Sequence, residues 1–315
     1  MADLQRAAEL LLGWDNILIL SHRSPDGDTL GCASALSRAL NALGKSVRFD
    51  CADAIPEKFS YMFSGIEYGD FEPEKIVTVD VADKVLLGTL EPLGEKTDLA
   101  IDHHATHRVF AKETWVDGSS AAACQRIAKL IPALGAEITP EIADCLYTGI
   151  STDTGCFKYP NATPETYRIA ADLIECGAHA ADINRVMFDT KSRSAIELLK
   201  RVYSDMEFYC EGRGAVLCLT KAMIAETGAK EGDLDGVAAI VRQVEGVQFG
   251  ITIRERGEDE YKVSLRATEP ADAAAVCAKF GGGGHKGAAG CTFFTALEEA
   301  KSRMVAACTE ALEQL

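Results

Sequence analysis

The order of strand and helix patterns in the first half of the sequence is the feature that most constrains the fold. Short apolar strand patterns cover residues 16–22, 46–51, 75–80 and 98–102, and helical patterns cover residues 29–43, 119–134, 140–152 and 164–176. Strands separated by helices in this way predict an α/β domain, with a parallel sheet and helices on both of its faces. Ligands of such sheets bind beyond the carboxyl ends of the strands.

The second half of the sequence follows a different pattern from about Asp205 onwards. A hairpin is expected over residues 208–220, strands over 247–255 and 261–268, and helices over 235–244 and 296–315. This mixture predicts a smaller α+β domain. We therefore expect two domains, residues 1–185 and residues 195–315, with a linker around residues 178–194.

Charge and cysteine content exclude several classes of protein. The 315 residues carry a net charge of −16, and long nucleic acids are bound mainly through Lys and Arg, so a long duplex is not an expected ligand. No apolar stretch is long enough to span a bilayer, and the N-terminal residues lack the basic start and apolar run of a secretory signal. The eleven cysteines include no CxxC pair, which favours free thiols. These features predict a cytoplasmic protein without a membrane partner.

Histidine and aspartate side chains recur where the predicted strands and one helix end. The residues concerned are His22, Asp26, Asp28, Asp80, Asp102, His103, His104 and Asp153. A parallel sheet brings the carboxyl ends of its strands to one edge, so we expect these groups to meet. Massed carboxylates repel one another unless cations lie between them, and this mixture of imidazole and carboxylate suits Mn²⁺, and Mg²⁺ or Zn²⁺ less well. Asp83 and Asp117 are interpreted as turn or helix-cap residues.

The ordered set of motifs resembles the DHH phosphoesterase superfamily, which is named for the triplet seen here as Asp102-His103-His104. The resemblance extends through Asp26-Gly27-Asp28, Asp80 and Asp153, and the second half is similar to the DHH-associated C-terminal domain at residues 281–290. It spans nearly the whole chain. The nearest group is the stand-alone NrnA-type enzymes, which are nano-RNases that also dephosphorylate pAp (adenosine 3′,5′-bisphosphate).

The resemblance implies two divalent ions, most readily Mn²⁺, that share Asp80 and activate a water for attack on phosphorus. The implied ligands of one ion are His22, Asp26 and Asp80, and those of the other are Asp28, Asp80, His103 and Asp153. Two ions about 3.5–4 Å apart would satisfy the negative charge of these residues.

Three further residues of this segment receive an interpretation from the resemblance. His104 would contact the scissile phosphate and, with Asp80, make up the catalytic pair. Asp102 would lie behind the ligands and orient a histidine ring. His107 stands near a position where similar proteins often have Asn, and we interpret it as a polar loop residue without a role.

A glycine run before His285 is the second candidate site. Glycine lets the backbone approach a ligand closely, and its amide can face an anion. The resemblance implies that the second domain holds the substrate end remote from the metals. The implied substrate-binding residues are Arg266, Gly282, Gly283, Gly284 and His285.

Several functions stay open at this point. Hydrolysis of short oligoribonucleotides (nanoRNA) and pAp is the first prediction, and hydrolysis of cyclic di-AMP or pApA is the alternative, because the same residues serve both. A RecJ-like exonuclease is disfavoured by the acidic composition and by chain length. A family II pyrophosphatase would lack the glycine run, and a non-catalytic nucleotide sensor would not need every ligand position filled. Similar proteins suggest a homodimer through the first domain.

Overall fold

The computed structural model describes residues 2–234 and 236–315. By their internal contacts these residues form two units, one that ends at Thr190 and one that begins at Lys191. All eleven cysteines are free thiols, as the sequence predicts. Within the described residues, no helix combines the length and the apolar character that a membrane crossing requires.

The first unit is built on a five-stranded parallel sheet. Its strands are β1 (Ile17–Leu20), β2 (Val47–Asp50), β3 (Lys75–Val79), β4 (Leu99–Asp102) and β5 (Glu113–Val116). Their order is β2-β1-β3-β4-β5, and every neighbouring pair is parallel. The predicted α/β class with a parallel sheet is confirmed, and β5 is a strand that the sequence analysis did not predict.

Helices bury both faces of this sheet, but unequally. The helices are α1 (Leu4–Gly13), α2 (Gly27–Ala42), α3 (Glu91–Gly94), α4 (Ala123–Ala133), α5 (Pro140–Asp153), α6 (Pro164–Glu175) and α7 (Ala180–Asn184). Ile17 and Ile19 of β1 point into the large core that α2, α4 and α5 share. Leu18 and Leu20 point to the other face, where the 3₁₀ segment Lys84–Leu90 covers them. Because successive strand residues alternate in direction, a strand covered on both sides is apolar throughout.

The segment predicted as a linker, residues 178–194, is largely helical. Helix α7 continues into a π-helical turn at Arg185–Asp189. Ile183 is buried in the core of the first unit. The polar composition of this stretch reflects the exposed side of a packed helix and is not the mark of an extended connection.

The second unit contains a six-stranded mixed sheet with the order β10-β11-β9-β8-β7-β6. Its strands are β6 (Glu207–Tyr209), β7 (Gly214–Leu219), β8 (Phe249–Gly257), β9 (Glu260–Ala267), β10 (Gly283–His285) and β11 (Ala288–Phe294). Its helices are α8 (Arg193–Ser204), α9 (Lys221–Thr227), α10 (Val237–Ile240), α11 (Ala273–Ala278) and α12 (Leu297–Glu313). The α+β class is confirmed.

Two expectations for the second unit need revision. The helix predicted over residues 235–244 begins at Asp235, which lies outside the described residues, and α10 has only four residues before a 3₁₀ turn at Val241–Gln243. The glycine run is not wholly a loop, since Gly283–His285 forms the edge strand β10 and pairs with β11. Glycine is needed there because a Cβ on Gly284 would lie 2.6 Å from the carbonyl oxygen of Ala288.

Candidate metal centre

The loop after β1 brings the first three ligand candidates to the carboxyl edge of the sheet. His22 follows β1 closely, and Asp26 caps helix α2, where its Oδ1 accepts hydrogen bonds from the backbone N–H groups of Asp28 (3.0 Å) and Thr29 (3.1 Å). Aspartate is a preferred N-cap because its carboxylate satisfies N–H groups that have no acceptor within the helix. The cap fixes Asp26 and Asp28 within a single turn of backbone.

Asp28 is fully buried and joins α2 to α4. Its Oδ2 accepts a hydrogen bond from the N–H of Ala123 (2.6 Å), and its Oδ1 accepts one from the N–H of Cys124 (2.8 Å), at the start of α4. The positive end of the helix dipole favours a carboxylate at this position. Gly149 of α5 leaves room for the contact, because a Cβ there would lie 2.3 Å from Cys124 Sγ and 2.8 Å from Asp28 Oδ1.

Asp80 lies at the centre of the site, directly after β3. Its φ of +58° places it in the left-handed region, which aspartate tolerates better than most residues. The side chain is buried, with Oδ2 3.6 Å from Nε2 of His22 and Oδ1 3.4 Å from Nε2 of His103. The two oxygens of this one carboxylate therefore face two different groups of ligand candidates.

The first group consists of His22, Asp26 and Asp80. Nε2 of His22 also lies 3.7 Å from Oδ1 of Asp26, and all three residues offer atoms within 4.8 Å of one another. Two ligand atoms bound at about 2.0–2.2 Å to one ion, at tetrahedral or octahedral angles, are about 3–3.6 Å apart. The observed spacing is close to what a shared cation requires.

The second group consists of Asp28, Asp80, His103 and Asp153. Nε2 of His103 lies 3.3 Å from Oδ2 of Asp153, which is the last residue of α5, and 3.8 Å from Oδ2 of Asp28. The structure thus brings together all the predicted metal ligands, in two groups that meet at Asp80. Candidate ligand atoms of Asp80, Asp102, His103 and His104 also lie within 4.8 Å of one another.

Backbone carbonyl groups orient both histidine candidates. Nδ1 of His22 lies 2.8 Å from the carbonyl oxygen of Arg23, and Nδ1 of His103 lies 3.2 Å from that of Ser120. A carbonyl only accepts, so in each ring Nδ1 donates, and Nε2 is the atom that faces the carboxylates. Metal-binding histidines are commonly held by a second hydrogen bond of this kind.

The acidic side chains of the centre fit a divalent cation. Burial and the negative charges of Asp80 and Asp153 raise the pKa of Asp28 well above its usual value, and burial and the charge of Asp80 likewise raise the pKa of Asp153. Oδ1 of Asp80 is buried and makes no hydrogen bond of good geometry within the described residues, although Nε2 of His103 lies 3.4 Å away. A cation would relieve the repulsion and give both atoms a partner. Imidazole and carboxylate donors together suit Mn²⁺, Zn²⁺ or Mg²⁺.

Mn²⁺ binding should release protons and tighten as the pH rises. Burial lowers the pKa of His22, but its interactions with Asp26 and Asp80 outweigh burial and raise the pKa to about 11. Burial also lowers the pKa of His103, and its interactions with Asp80 and nearby carboxylates again outweigh burial and raise the pKa. A histidine must lose its Nε2 proton to bind a metal, so affinity should rise about tenfold per pH unit for each proton released.

Titration calorimetry in buffers of different ionisation enthalpy measures this release, and we expect about one to two protons per protein chain between pH 6.5 and 8. Heats that do not depend on the buffer, together with an affinity that is flat over this range, would show that these histidines are already neutral before the metal binds, against their raised pKa values.

Asp102 connects two histidines behind the ligand groups. This fully buried carboxylate accepts hydrogen bonds from Nδ1 of His104 (2.8 Å) through Oδ1 and from Nδ1 of His107 (2.6 Å) through Oδ2. Although burial opposes it, these bonds lower the pKa of Asp102, so the carboxylate is ionised and both rings donate. His104 is half-exposed, and the bond to Asp102 raises its pKa. In the imidazolium form, which the raised pKa favours, Nε2 also carries a proton and can donate it to a ligand.

His107 lies in a loop, as interpreted, but its side chain makes a specific buried contact there. Its side chain is only 4% exposed, its ring stacks on Phe110 with centroids 5.5 Å apart, and its polar contact within the described residues is Asp102. The loop from His104 to Phe110 folds back over the end of β4, which local sequence does not reveal. His107 holds the carboxylate that in turn holds His104.

Replacement of His107 should therefore slow catalysis without loss of metal. His107→Leu removes a charge-assisted hydrogen bond from Asp102, and we expect kcat to fall about tenfold or more. His107→Asn should keep most of the activity, because its Nδ2 is attached to Cγ just as Nδ1 of histidine is. Steady-state kinetics with Mn²⁺ titration measures both. A wild-type kcat in the leucine variant would rule out the positioning role.

Three of the implied substrate-binding residues, Arg266, Gly283 and His285, lie on one face of the sheet of the second unit, whereas Gly284 pairs with Ala289 in a row of the opposite face and Gly282 precedes β10. Ala288 of β11 pairs with Arg266 of β9 on one side and with His285 of β10 on the other, so all three form one row across the sheet. Residues directly opposite one another share a face. In the next row on that face, Gly283 pairs with Gly290. Because Ala288, Gly283 and Gly290 have small or no side chains, they form a shallow depression between Arg266 and His285.

Arg266 has few contacts of its own within the described residues. Its Nη1 lies 3.5 Å from the carbonyl oxygen of Leu265, and no carboxylate there lies within ion-pair distance. By contrast, Arg254 of the neighbouring strand β8 makes two hydrogen bonds to Glu231, of 2.9 and 2.6 Å.

The interpretation of Asp83 and Asp117, in the first unit, as capping and turn residues is confirmed. Asp83 accepts a hydrogen bond from the N–H of Val85, and Asp117 accepts one from the N–H of Ser119.

Sequence comparison gives two family matches. The model of the DHH family, N-terminal domain, matches residues 16–150, and the model of the DHHA1 domain matches residues 215–314. A Thermus thermophilus protein named bifunctional oligoribonuclease and PAP phosphatase NrnA is 37% identical over 304 residues, which cover 94% of this chain and 90% of that protein.

Solved structures share the fold of this chain. The chain superposes on an exopolyphosphatase-related protein from Bacteroides fragilis with a TM-score of 0.85 and 28% identity, over 99% of this chain and 96% of the other. Exonuclease RecJ bound to manganese has the same fold, with a TM-score of 0.54 and 18% identity over 97% of this chain and 94% of the other.

Proposed function

Because the chain belongs to the DHH family and is of the NrnA type, we propose that it is a metal-dependent phosphoesterase that hydrolyses short oligoribonucleotides and pAp. The observation that carries the proposal is the pair of ligand groups that meet at the buried carboxylate of Asp80. The printed name of the Thermus thermophilus relative supports the two substrates. The enzyme class is a hydrolase acting on phosphoester bonds.

The cofactor of the proposed enzyme is a pair of divalent ions, with Mn²⁺ as the preferred metal. His22, Asp26 and Asp80 would hold one ion, and the second group described above would hold the other. When bound, such ions neutralise phosphoryl oxygens and lower the pKa of a coordinated water. The mixed imidazole and carboxylate donors support Mn²⁺ over Mg²⁺, which prefers oxygen ligands alone.

The protein's own groups complete the proposed chemistry. His104 donates from Nε2 to an oxygen of the scissile phosphate, and Asp102, which accepts from Nδ1, orients the ring and favours the doubly protonated imidazolium that this requires. Asp80 holds the two ligand groups at a fixed separation, because its side chain is buried and its backbone is anchored to Ile101 by a hydrogen bond of 2.9 Å. These groups are fixed before substrate arrives, so little reorganisation is needed at the moment of reaction.

A substrate panel tests the proposal. The purified protein is assayed with pAp, pApA, cyclic di-AMP and RNA of graded length, in Mn²⁺ and after treatment with a chelator. We expect hydrolysis of pAp and of RNA up to about five nucleotides, a steep fall for longer RNA because the acidic surface opposes a longer strand, and no activity without metal. Equal rates on a 5-mer and a 24-mer would contradict the short-substrate assignment. Faster turnover of cyclic di-AMP than of any RNA would favour the alternative.

Arg266 is proposed to bind a second phosphate of the substrate, together with His285 and the glycines Gly282, Gly283 and Gly284. Arg266→Ala should remove charge-assisted hydrogen bonds worth about 1.5–3 kcal/mol, so hydrolysis of pAp and dinucleotides should fall about ten- to a hundredfold. Bis-p-nitrophenyl phosphate has no second phosphate, and its hydrolysis should change little. Kinetics on both substrates checks this.

Arg254→Ala is the matched control for this variant, because Arg254 lies on the neighbouring strand and is paired with Glu231. It should affect neither substrate by more than a small factor, as expected for a surface ion pair. Parallel losses on both substrates in Arg266→Ala would mean that Arg266 supports the fold or the metal centre. We further propose a cytoplasmic location and a homodimer formed through the first unit. Sedimentation analysis can test for the dimer.

A further inference from the structure

The loop after Asp153 carries an exposed tyrosine that the proposed chemistry does not use. Helix α5 ends at Asp153, and α6 begins at Pro164. Tyr159 lies between them and is 51% exposed. Within the described residues, no other aromatic ring stacks on Tyr159 and its hydroxyl makes no hydrogen bond. An exposed ring six residues after a ligand candidate in the sequence is a candidate contact for a ligand.

The backbone holds this loop in an unusual conformation. Gly155, Cys156 and Phe157 have φ values of +55°, +59° and +61°, so three consecutive residues lie in the left-handed region. The N–H of Cys156 donates to the carbonyl oxygen of Ser151 (2.7 Å), and the N–H of Phe157 donates to Oγ1 of Thr154 (3.0 Å). Non-glycine residues persist in this region only where surrounding contacts fix them, which is typical of ligand-binding segments.

Gly155 fixes the orientation of the Tyr159 ring. A Cβ on Gly155 would lie 2.4 Å from Cζ and 2.6 Å from each of the two Cε atoms of Tyr159. Nearly equal distances to these three atoms place Gly155 under one face of the ring and not at its edge. The ring therefore lies flat on the backbone, and its opposite face accounts for the exposed part of the side chain.

Asn161 attaches the loop to the metal centre. Its Nδ2 donates to the carbonyl oxygen of Asp153 (3.1 Å) and to that of Ala121 (3.2 Å). Ala121 follows Ser120, whose carbonyl oxygen accepts the hydrogen bond from Nδ1 of His103. The loop that presents Tyr159 is thus hydrogen-bonded to the end of α5, which carries Asp153, and to the segment whose Ser120 carbonyl oxygen orients His103, so it adjoins the second group.

We propose that Tyr159 stacks on a nucleobase of the substrate, next to the phosphate that is hydrolysed. The inference rests on the proposed function, since a nucleotide substrate is what presents a base here. Stacking of one base on an aromatic side chain strengthens binding about five- to a hundredfold, and every base offers a π-face. An enzyme that stacks without reading base edges accepts short RNA of any sequence, which suits the proposed substrate class.

The alternative is that Tyr159 only covers Gly155 and stabilises the loop. The two readings differ in their dependence on the base. A stacking residue contributes to binding of a nucleotide but not of a sugar phosphate, whereas a residue that shapes the loop affects both ligands alike. Binding of AMP and of ribose 5-phosphate, which differ by the base, separates the two and does not depend on turnover.

The experiment compares the Kd values of AMP and ribose 5-phosphate, in saturating Mn²⁺, for the wild type, Tyr159→Ala, Tyr159→Leu and Tyr159→Phe. The wild type should bind AMP about five- to a hundredfold more tightly than ribose 5-phosphate. Alanine and leucine should reduce this preference to near unity without weakening ribose 5-phosphate, and phenylalanine should retain it. Leucine keeps apolar cover over Gly155, so it preserves the test if alanine disturbs the loop. Tyr203→Ala, at a tyrosine of similar exposure (56%) on α8, is the control.

An unchanged AMP preference in the alanine and leucine variants would overturn the proposal, and so would an equal loss on both ligands. A wild type without any AMP preference would also overturn it, while the substrate panel could still show hydrolysis of RNA. Conversely, a preference that depends on Tyr159 in a protein that hydrolyses no nucleotide would support stacking and refute the proposed function.

Discussion

Asp80→Asn should abolish turnover of every substrate, with a fall in kcat of at least about a thousandfold even in excess Mn²⁺. The two oxygens of Asp80 face different ligand groups, at 3.6 Å from His22 and 3.4 Å from His103. An amide has one acceptor oxygen and no charge, so it can serve only one group and cannot offset the repulsion between two cations. A loss of about 4 kcal/mol of barrier stabilisation corresponds to the expected factor.

The asparagine variant is expected to remain folded. Asparagine tolerates the left-handed backbone of residue 80 as well as aspartate does. The charge of Asp80 repels Asp28 and Asp153 but attracts His22 and His103, so its removal has two opposing effects on the metal-free protein. The metal-free variant should therefore unfold at a temperature close to that of the metal-free wild type, and a calorimetric melt can establish this before activity is compared.

Asp83→Asn is the matched control, because Asp83 also follows β3 and caps the 3₁₀ segment after it through a 3.2 Å hydrogen bond to the N–H of Val85. Asparagine is as good an N-cap as aspartate, so the change should cost less than about 1 kcal/mol of stability, through loss of the ion pair with Arg108, and leave kcat near the wild-type value. Metal analysis completes the test, since Asp80→Asn should hold fewer Mn²⁺ ions per chain than the control. Near-normal rates for Asp80→Asn in excess Mn²⁺ would end the two-ion assignment.

The sheet and its ligand-bearing edge could be predicted because they depend on short-range patterns. Each predicted strand of the first unit is a short apolar run followed by polar residues, and Lys75–Val79 with Asp80 after it is an example. In a parallel sheet, such residues reach one edge whatever the details of packing. Strand β5 escaped prediction because its four residues, Glu113–Val116, include only two that are buried, which is too little alternation to separate it from a loop.

Contacts that depend on loop paths could not be predicted. The N–H groups of Ala123 and Cys124 that bind Asp28 lie about ninety-five residues along the chain, and an amide has no signature in sequence. The placement of His107 depends on the turn that follows His104, where polar residues give no periodic pattern. The presence of three histidines within five residues was the only available signal, and it did not indicate which carboxylate the third would contact.

Helix boundaries were shifted where side chains compete for backbone groups. The helix predicted over residues 119–134 begins at Ala123. Asp117 accepts a hydrogen bond from the N–H of Ser119, and Oε1 of Gln125 accepts one from the N–H of Ala121, so these residues form a turn in place of a first helical turn. The delay matters for the site, because it presents free N–H groups of the helix start to Asp28 and the carbonyl oxygen of Ser120 to His103.

His104→Ala should lower kcat by about a hundred- to a thousandfold and leave KM and Mn²⁺ affinity nearly unchanged. Nδ1 of His104 is engaged with Asp102 at 2.8 Å, so Nε2 is the nitrogen available to a phosphoryl oxygen. A donor that is fixed in place before the reaction stabilises charge mainly in the transition state, and removal of one such donor typically costs this factor. The side chain is 42% exposed, whereas that of the ligand candidate His103 is 13% exposed, which fits a group that meets substrate from the solvent side.

His104→Gln gives the sharper comparison, because the Nε2 of glutamine can donate from nearly the position of Nε2 in histidine. It should recover part of the rate, although the amide is neutral and lacks the bond to Asp102. His103→Gln should behave differently, since His103 contacts Asp28, Asp80 and Asp153 and its loss should weaken Mn²⁺ binding as well as the rate. Kinetics and Mn²⁺ titration on the three variants separate the two histidines. If His104→Ala loses metal in proportion to activity, then His104 is a ligand, and the assignment of neighbouring histidines to different tasks is incorrect.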